Sequence, residues 1–274
     1  MTNRMTGRPQ TAASRARSGK PMGMVPGDVE RFGRELARRV ADALDGGLVG
    51  AYFVGSIALG GYVAAESDID VIGVSEQRVP PERRSIIADS VVECAAGCPA
   101  RGLEFTLYRR EVAAALPIAA DFELNANHGP RMARAVHLDP DTQPGFWYVL
   151  DRAIAHSVGV AIAGPPAAHV FADVPREALL GAMRESMQWH REHEGATLYS
   201  VLNACRAWRF AAGNALGSKL DGAAWARSRS AHPELIDSAV ALRHGKSAEL
   251  PASEVDEFLE FVESALSSAL GRRR

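Results

Sequence analysis

The stretch "YFVGSIALGGYVAAESDIDVIGV", Tyr52 to Val74, constrains the fold more than any other part of the chain. Its flanks, YFV and VIGV, are apolar and β-branched or aromatic. They read as two buried strands joined by a glycine-punctuated turn and a short helix. Gly55-Ser56 then stands at the mouth of the first strand, and Asp68 and Asp70 lie on the second. Because side chains alternate faces along a strand, the two aspartates point the same way while Ile69 points into the core. Carboxylates held side by side on rigid backbone repel each other, and a hard cation such as Mg²⁺ offsets that cost.

A third strand follows in "GLEFTLYRR", Gly102 to Arg110, with Leu103, Phe105 and Leu107 on one face and Glu104, Thr106 and Tyr108 on the other. This alternation predicts a half-buried strand. Paired beside the second strand, it would bring Glu104 to the two aspartates as a third acid. Alone, Glu104 reads as a solvated strand residue. A helix beginning with Asp28 as N-cap, with Val29, Phe32, Leu36, Val40 and Leu44 at helical spacing, precedes these strands. Another opens at Pro80-Pro81. From Phe146 the pattern changes to helices over Phe146–Val158, Arg176–Glu194, Leu198–Asn214, Pro233–Arg243 and Ser253–Leu270. "NANHGP" reads as a turn and "AIAGPP" as a loop. The expected fold class is α+β: a domain of strands and helices over 28–140, then an α-helical bundle over 141–274, with a disordered basic tail over 1–27.

At 274 residues and 47% hydrophobic, the chain can bury one large core or two modest ones. No apolar run approaches the ~20 residues a membrane span needs. Cys94, Cys98 and Cys205 do not form a zinc-ligand pattern and read as reduced thiols of a cytoplasmic protein. A net charge of −2 gives no footprint for wrapping a polynucleotide. The expected partner is a small molecule, with no nucleic acid or membrane, bound by a monomer.

Gly-Ser, then Asp-x-Asp, then a lone acid on a later apolar strand is the order found in nucleotidyltransferases of the DNA polymerase β superfamily, which the chain resembles. "GSIALGGYVAAESDIDVIGV" and "LEFTLYRR" are similar to the aminoglycoside 3''-adenylyltransferases. "AGPPAAHVFADVP", "LNACRAWRF" and "GSKLDGAAWA" continue the likeness in the same order. The resemblance implies a polymerase β-like domain joined to a helical domain, with ATP and drug in the cleft between them. It implies that Ser56 and Ser67 touch the nucleotide, that Asp68 and Asp70 hold Mg²⁺, that Glu104 is the catalytic base, and that Arg206 and Lys219 reach ATP phosphates. The drug-contacting Trp that the family carries after "FELN" is replaced here by "ANHG". The Asp expected ahead of "LNACR" has Glu194 as its nearest acid.

The chemistry is consistent with the residues. Adenylyl transfer is an in-line displacement at the α-phosphorus of ATP, and two metal ions can stabilise the entering and leaving oxygens. Gly55 lets backbone approach a phosphate, and Ser56 offers a hydroxyl at a helix start. A polycationic acceptor needs carboxylates, and Glu192, Glu194, Asp121 and Glu123 are available. His190 and His193 read as a polar helix end, outside the HExxH spacing of a zinc protease. Trp189, Trp208 and Trp225 read as core, with one able to stack on adenine. Two other readings stand beside this one: transfer of AMP to a protein hydroxyl, and a non-catalytic nucleotide-binding or antitoxin-like protein.

Overall fold

The computed structural model describes residues 25–116 and 119–272. The basic residues expected in a tail, Arg4, Arg8, Arg15, Arg17 and Lys20, lie outside the described residues. Helix α1 (Gly27–Ala43) buries Val29, Phe32, Leu36 and Val40 on one face. Its N-cap is Pro26 and not Asp28. Asp28 sits in the first turn, where its Oδ1 accepts the Val29 N–H and its charge suits the helix dipole.

The sheet is built from β1 (Leu48–Phe53), β2 (Ile69–Ser75), β3 (Leu103–Arg109), β4 (Leu124–Gly129), β5 (Met132–His137) and β6 (Val160–Ala163), in the order β5-β4-β3-β2-β1-β6. Only β2 and β3 run parallel, and the other neighbours are antiparallel. The short α2 (Gly55–Ala58) connects β1 toward β2, α3 (Pro81–Ala95) crosses from β2 to β3, and α4 (Arg110–Ala114) follows β3. Alternation along the strands sorts side chains onto two faces. Ile69, Val71, Leu103, Phe105 and Leu107 join α1 and α3 in one core. Tyr52, Ile72, Val74 and Tyr108 face the other way, where α5 (Gly145–Val158) covers them with Tyr148, Ile154 and Ala155.

Three expectations need correction here. β3 is not half solvated: Thr106 and Tyr108 are buried as well, because α5 covers the second face. "NANHGP" is mainly strand β4, paired with β3 and turning into β5; its Asn and Gly residues suggested a turn, but cross-strand pairing overrides local propensity. The first half of "AIAGPP", Ala161 to Ala163, expected as a loop, belongs to β6 and pairs antiparallel with β1. At four residues that strand is too short to show a period.

The remaining helices, α6 (Arg176–His193), α7 (Leu198–Gly213), α8 (Lys219–Arg227), α9 (Pro233–Arg243) and α10 (Ala252–Gly271), pack around Leu180, Leu202, Cys205, Phe258 and Val262. Helix α5 contributes to this core too, through Phe146, Val149 and Ala153. It is therefore shared by both halves. Buried Arg152 fixes it in place, donating to the carbonyls of Tyr148, Val112 and Ala119 and lying over the Tyr108 ring. The protein is thus α+β, a six-stranded mixed sheet with helices followed by a helical bundle. Cys94, Cys98 and Cys205 are free buried thiols, and among the described residues no helix is long and apolar enough to cross a membrane.

Candidate active site

A cleft of about 570 Å³ opens between the sheet and the helical bundle. Its sheet wall follows from register. In the parallel pair, Asp70 on β2 lies opposite Glu104 on β3, and both have the parity of the face toward α5. Asp68 immediately precedes β2 and points into the same space, while Ile69 between them is fully buried on the far side. Gly55 adopts φ +50, and a Cβ there would collide with the Asp70 carboxylate. Only glycine lets the chain turn this close to the acid. The turn directs the Ser56 N–H toward Asp70 Oδ2 at 3.4 Å. Ser67 Oγ accepts the Val63 N–H at 3.0 Å, holding the loop ahead of Asp68.

The opposite wall is cationic. Arg206 comes from α7 and Lys219 from the first turn of α8. A capping box fixes that turn: Ser218 Oγ accepts the Asp221 N–H, and the Asp221 carboxylate accepts the Ser218 N–H. Lys219 Nζ lies 4.9 Å from the centre of the Tyr199 ring. Arg243 from α9 reaches across to donate to the Gly61 carbonyl at 3.3 Å.

The charges are poorly compensated. Burial, then Asp68, pushes the Asp70 carboxyl up to about 6. Burial, then Asp70, Asp68 and Asp151, pushes Glu104 up to about 8, although its side chain meets solvent within the cleft. Asp151, on α5 at the cleft, is raised to about 7 by burial and by Asp70, against the pull of Arg206 and Arg152. Burial, helped by Arg206 and Arg243, lowers Lys219 to about 8. Each wall thus disfavours its own charged form in the absence of a ligand. Ser56 Oγ, Glu66 Oε2, Asn127 Oδ1 and Arg243 Nε, all from residues lining the cleft, are buried without a protein partner. Polar atoms left this way call for a ligand or water.

Asp68 and Asp70 offer hard carboxylate oxygens, the donors Mg²⁺ takes. Both Asp68 oxygens are engaged by Arg101, at 2.8 Å from Nε and 2.6 Å from Nη2. Among the described residues no three His, Cys, Asp or Glu side chains form a ready-made metal cage. The donor set therefore fits a cation that arrives with further ligands of its own.

All the residues expected to handle nucleotide or metal, namely Gly55, Ser56, Ser67, Asp68, Asp70, Glu104, Arg206 and Lys219, line this one cleft. The expected acceptor acids divide. Glu194 lines the cleft, its Oε2 2.7 Å from His190 Nδ1. Glu192 does not: it is exposed and accepts from Gln188. Glu123 is fully buried and bound by Arg84 and Arg109, a structural ion cluster, and Asp121 sits on an exposed turn. His190 is no solvated helix end, being buried between Glu194 and Asn203. Trp208 packs against Trp225 and Phe261 away from the cleft, whereas Trp147, which the sequence did not single out, lines it.

Sequence reasoning also missed Asp151, Arg101, Tyr199 and Arg243. An Asp within the apolar run "FWYVLDRAI" was the one readable signal, since a charge on a core-facing helix needs a reason. The "NANHG" segment, Asn125 to Gly129, places Asn125 and Asn127 in the cleft.

The two halves supply opposite charges to the cleft. Clustered acids beside a Gly-Ser turn come from the sheet, and cations come from the bundle. Residues 169–268 match the family described as aminoglycoside adenylyltransferase, C-terminal domain. The fold is that of the spectinomycin adenyltransferase AAD(9) from Enterococcus faecialis, whose crystal structure was determined with ATP and spectinomycin. The TM-score is 0.63 at 15% identity, covering 85% of this chain and 97% of that one. No curated protein sequence matches significantly.

Proposed function

We propose that the protein transfers the adenylyl group of ATP to a hydroxyl of an aminoglycoside-type molecule, using Mg²⁺ and releasing pyrophosphate. The observation that carries this reading is the facing of Asp68, Asp70 and Glu104 by Arg206, Lys219 and Arg243 across one cleft. A triphosphate between the walls would satisfy the cations, and a metal-bound phosphate would relieve the acids. Ser56, with an unpartnered Oγ, and Ser67 line the sheet side of the cleft and would meet the nucleotide there.

In the reaction, the acceptor oxygen forms a bond to the α-phosphorus as the bond to the bridging oxygen of pyrophosphate breaks. Glu104 takes the proton of the acceptor hydroxyl. Its elevated carboxyl suits a general base working near neutrality. Arg206 and Lys219 neutralise the charge that builds on the leaving pyrophosphate. Mg²⁺ bound by Asp68 and Asp70, as two ions in the fullest form, would supply Lewis-acid stabilisation of the phosphoryl oxygens. Glu194 and Glu66, both lining the cleft, supply negative charge for the amines of the acceptor. AAD(9), with its spectinomycin, is the relative that suggests which acceptors to try first.

The test is incubation of the purified protein with Mg-ATP and a panel of aminoglycosides including spectinomycin and streptomycin, read by mass spectrometry. A product heavier by one AMP, formed with stoichiometric pyrophosphate, is expected. ATP consumption without any adduct across the panel would defeat the acceptor class, and absence of nucleotide binding would defeat the reading altogether.

A further inference from the structure

Arg101 stands in the loop between α3 and β3, and its backbone is tied down on both sides. Its N–H donates to the Ser67 carbonyl at 3.2 Å, and its carbonyl accepts from Arg131 N at 2.9 Å. The next residue's carbonyl accepts the Ile69 N–H. These bonds bracket Asp68, so the guanidinium approaches the aspartate from a fixed base. It meets the carboxylate as a planar fork, one N–H to each oxygen. Such bidentate pairs are the strongest of the ordinary ion pairs. Asp68 is partly enclosed, its side chain 16% exposed, and Arg101 lines the same cleft.

This pair sits at the place assigned above to a metal, and the inference rests on that assignment. We propose that Arg101 is a positioning residue that occupies Asp68 in the free enzyme and is displaced when nucleotide delivers the metal. With both Asp68 oxygens engaged, a free divalent ion meets one fewer available carboxylate and a fixed positive charge beside it. Like charges a few ångströms apart at the rim of a protein repel appreciably. Metal arriving on a triphosphate brings oxygens of its own and a surplus of negative charge, which lowers both obstacles. The guanidinium that leaves Asp68 remains in the cleft beside the incoming phosphates. Arg101 thereby makes metal binding depend on ATP, and it keeps Asp68 in place while the site waits.

The measurement is Mn²⁺ binding to the full-length protein by electron paramagnetic resonance, with and without a non-hydrolysable ATP analogue. Wild type, Arg101→Gln, Arg101→Lys and Asp68→Asn are compared. Without nucleotide, Arg101→Gln should bind Mn²⁺ roughly tenfold or more tightly than wild type. Arg101→Lys, which keeps the charge and loses the fork, should fall between them. With the analogue present the gap should shrink. Asp68→Asn should abolish the gain when combined with Arg101→Gln. Equal or weaker Mn²⁺ affinity in both Arg101 variants would overturn the proposal, and if Arg101→Gln does not fold, the lysine variant decides alone. Adenylylation assays run in parallel separate the two claims. An enzyme that binds Mn²⁺ as described but adenylylates no aminoglycoside leaves the Arg101 role standing and removes the acceptor.

Discussion

Asp70 and Glu104 are register partners on adjacent parallel strands, so two carboxylates are held next to each other by the backbone of the sheet itself. Neither can move away without breaking the ladder. The result is a folded state that holds protons the unfolded chain would release, since Asp70 is raised by burial and Asp68, and Glu104 by burial, Asp70, Asp68 and Asp151. Their stabilising contribution is fully present below the usual carboxylate range near pH 4. It is lost as the pH rises toward about 6 for Asp70 and about 8 for Glu104. In chelator, wild-type protein should therefore lose thermal stability between pH 5 and 8 more steeply than Glu104→Gln. The two should be similar near pH 5, with the variant the more stable near pH 8. Parallel melting curves across that window would speak against the electrostatic account.

The same substitution separates a base from a ligand. Glutamine keeps the size of the side chain and one oxygen, so Mg-ATP should still bind. Turnover should fall by about 10²–10⁴-fold. Calorimetry beside single-turnover rates reads both quantities, and loss of Mg-ATP binding would reassign Glu104 to the metal.

Lys219 tests the cationic wall. Replacing it with alanine should weaken ATP binding by about 1.5–3 kcal/mol, the range for a hydrogen bond to a charged group, with little change in unfolding midpoint. Burial lowers its ammonium to about 8, and a neighbouring triphosphate favours the charged form. Wild-type affinity for ATP should thus decline as the pH rises above about 8, where binding must take up a proton. Lys219→Ala should lack that decline. Titrations at three pH values are sufficient.

Gly222 lets α8 lie directly on α7: a Cβ there would stand 2.8 Å from Arg206 N and 3.0 Å from Arg206 Cα. Two effects compete in Gly222→Ala. Alanine gains about 1 kcal/mol of helix propensity, and overpacking against fixed backbone costs roughly 1–3 kcal/mol. Net stability should fall by no more than about 2 kcal/mol. ATP affinity should drop as well, because the helices that present Arg206 and Lys219 are pushed apart. Denaturant unfolding and ATP titration on the same preparation check both; unchanged affinity would mean that the spacing does not matter.

Much of this was legible in the chain. The strand pair around Gly55-Ser56 and Asp68-x-Asp70 showed itself through apolar flanks, and Glu104 through alternation. Five of the helical segments after Phe146 appeared with ends close to those found. What escaped notice depends on contacts distant in sequence. β4 is rich in Asn and Gly and becomes a strand only because β3 and β5 pair with it. Arg101 looks like any surface arginine until the loop carries it to Asp68. Helix α8 is nine residues long, with Gly222 as its fourth residue, and shows little periodicity. Glu123 and Glu192 had the composition of an amine-binding site, but only tertiary placement reveals that one is consumed by Arg84 and Arg109 and the other faces outward.

The late return of the chain as β6 bears on how the molecule is made. During synthesis β1 emerges early, yet its outer edge has no partner until Val160–Ala163 has been translated, after the whole of α5. Until then an unpaired apolar edge is open to association with other chains. The α/β half expressed as an isolated fragment ending before α5 would retain that edge permanently. It would also expose Tyr52, Ile72 and Tyr108, which α5 covers. The sheet half is thus completed only by chain that the ribosome delivers after it, through α5 and β6.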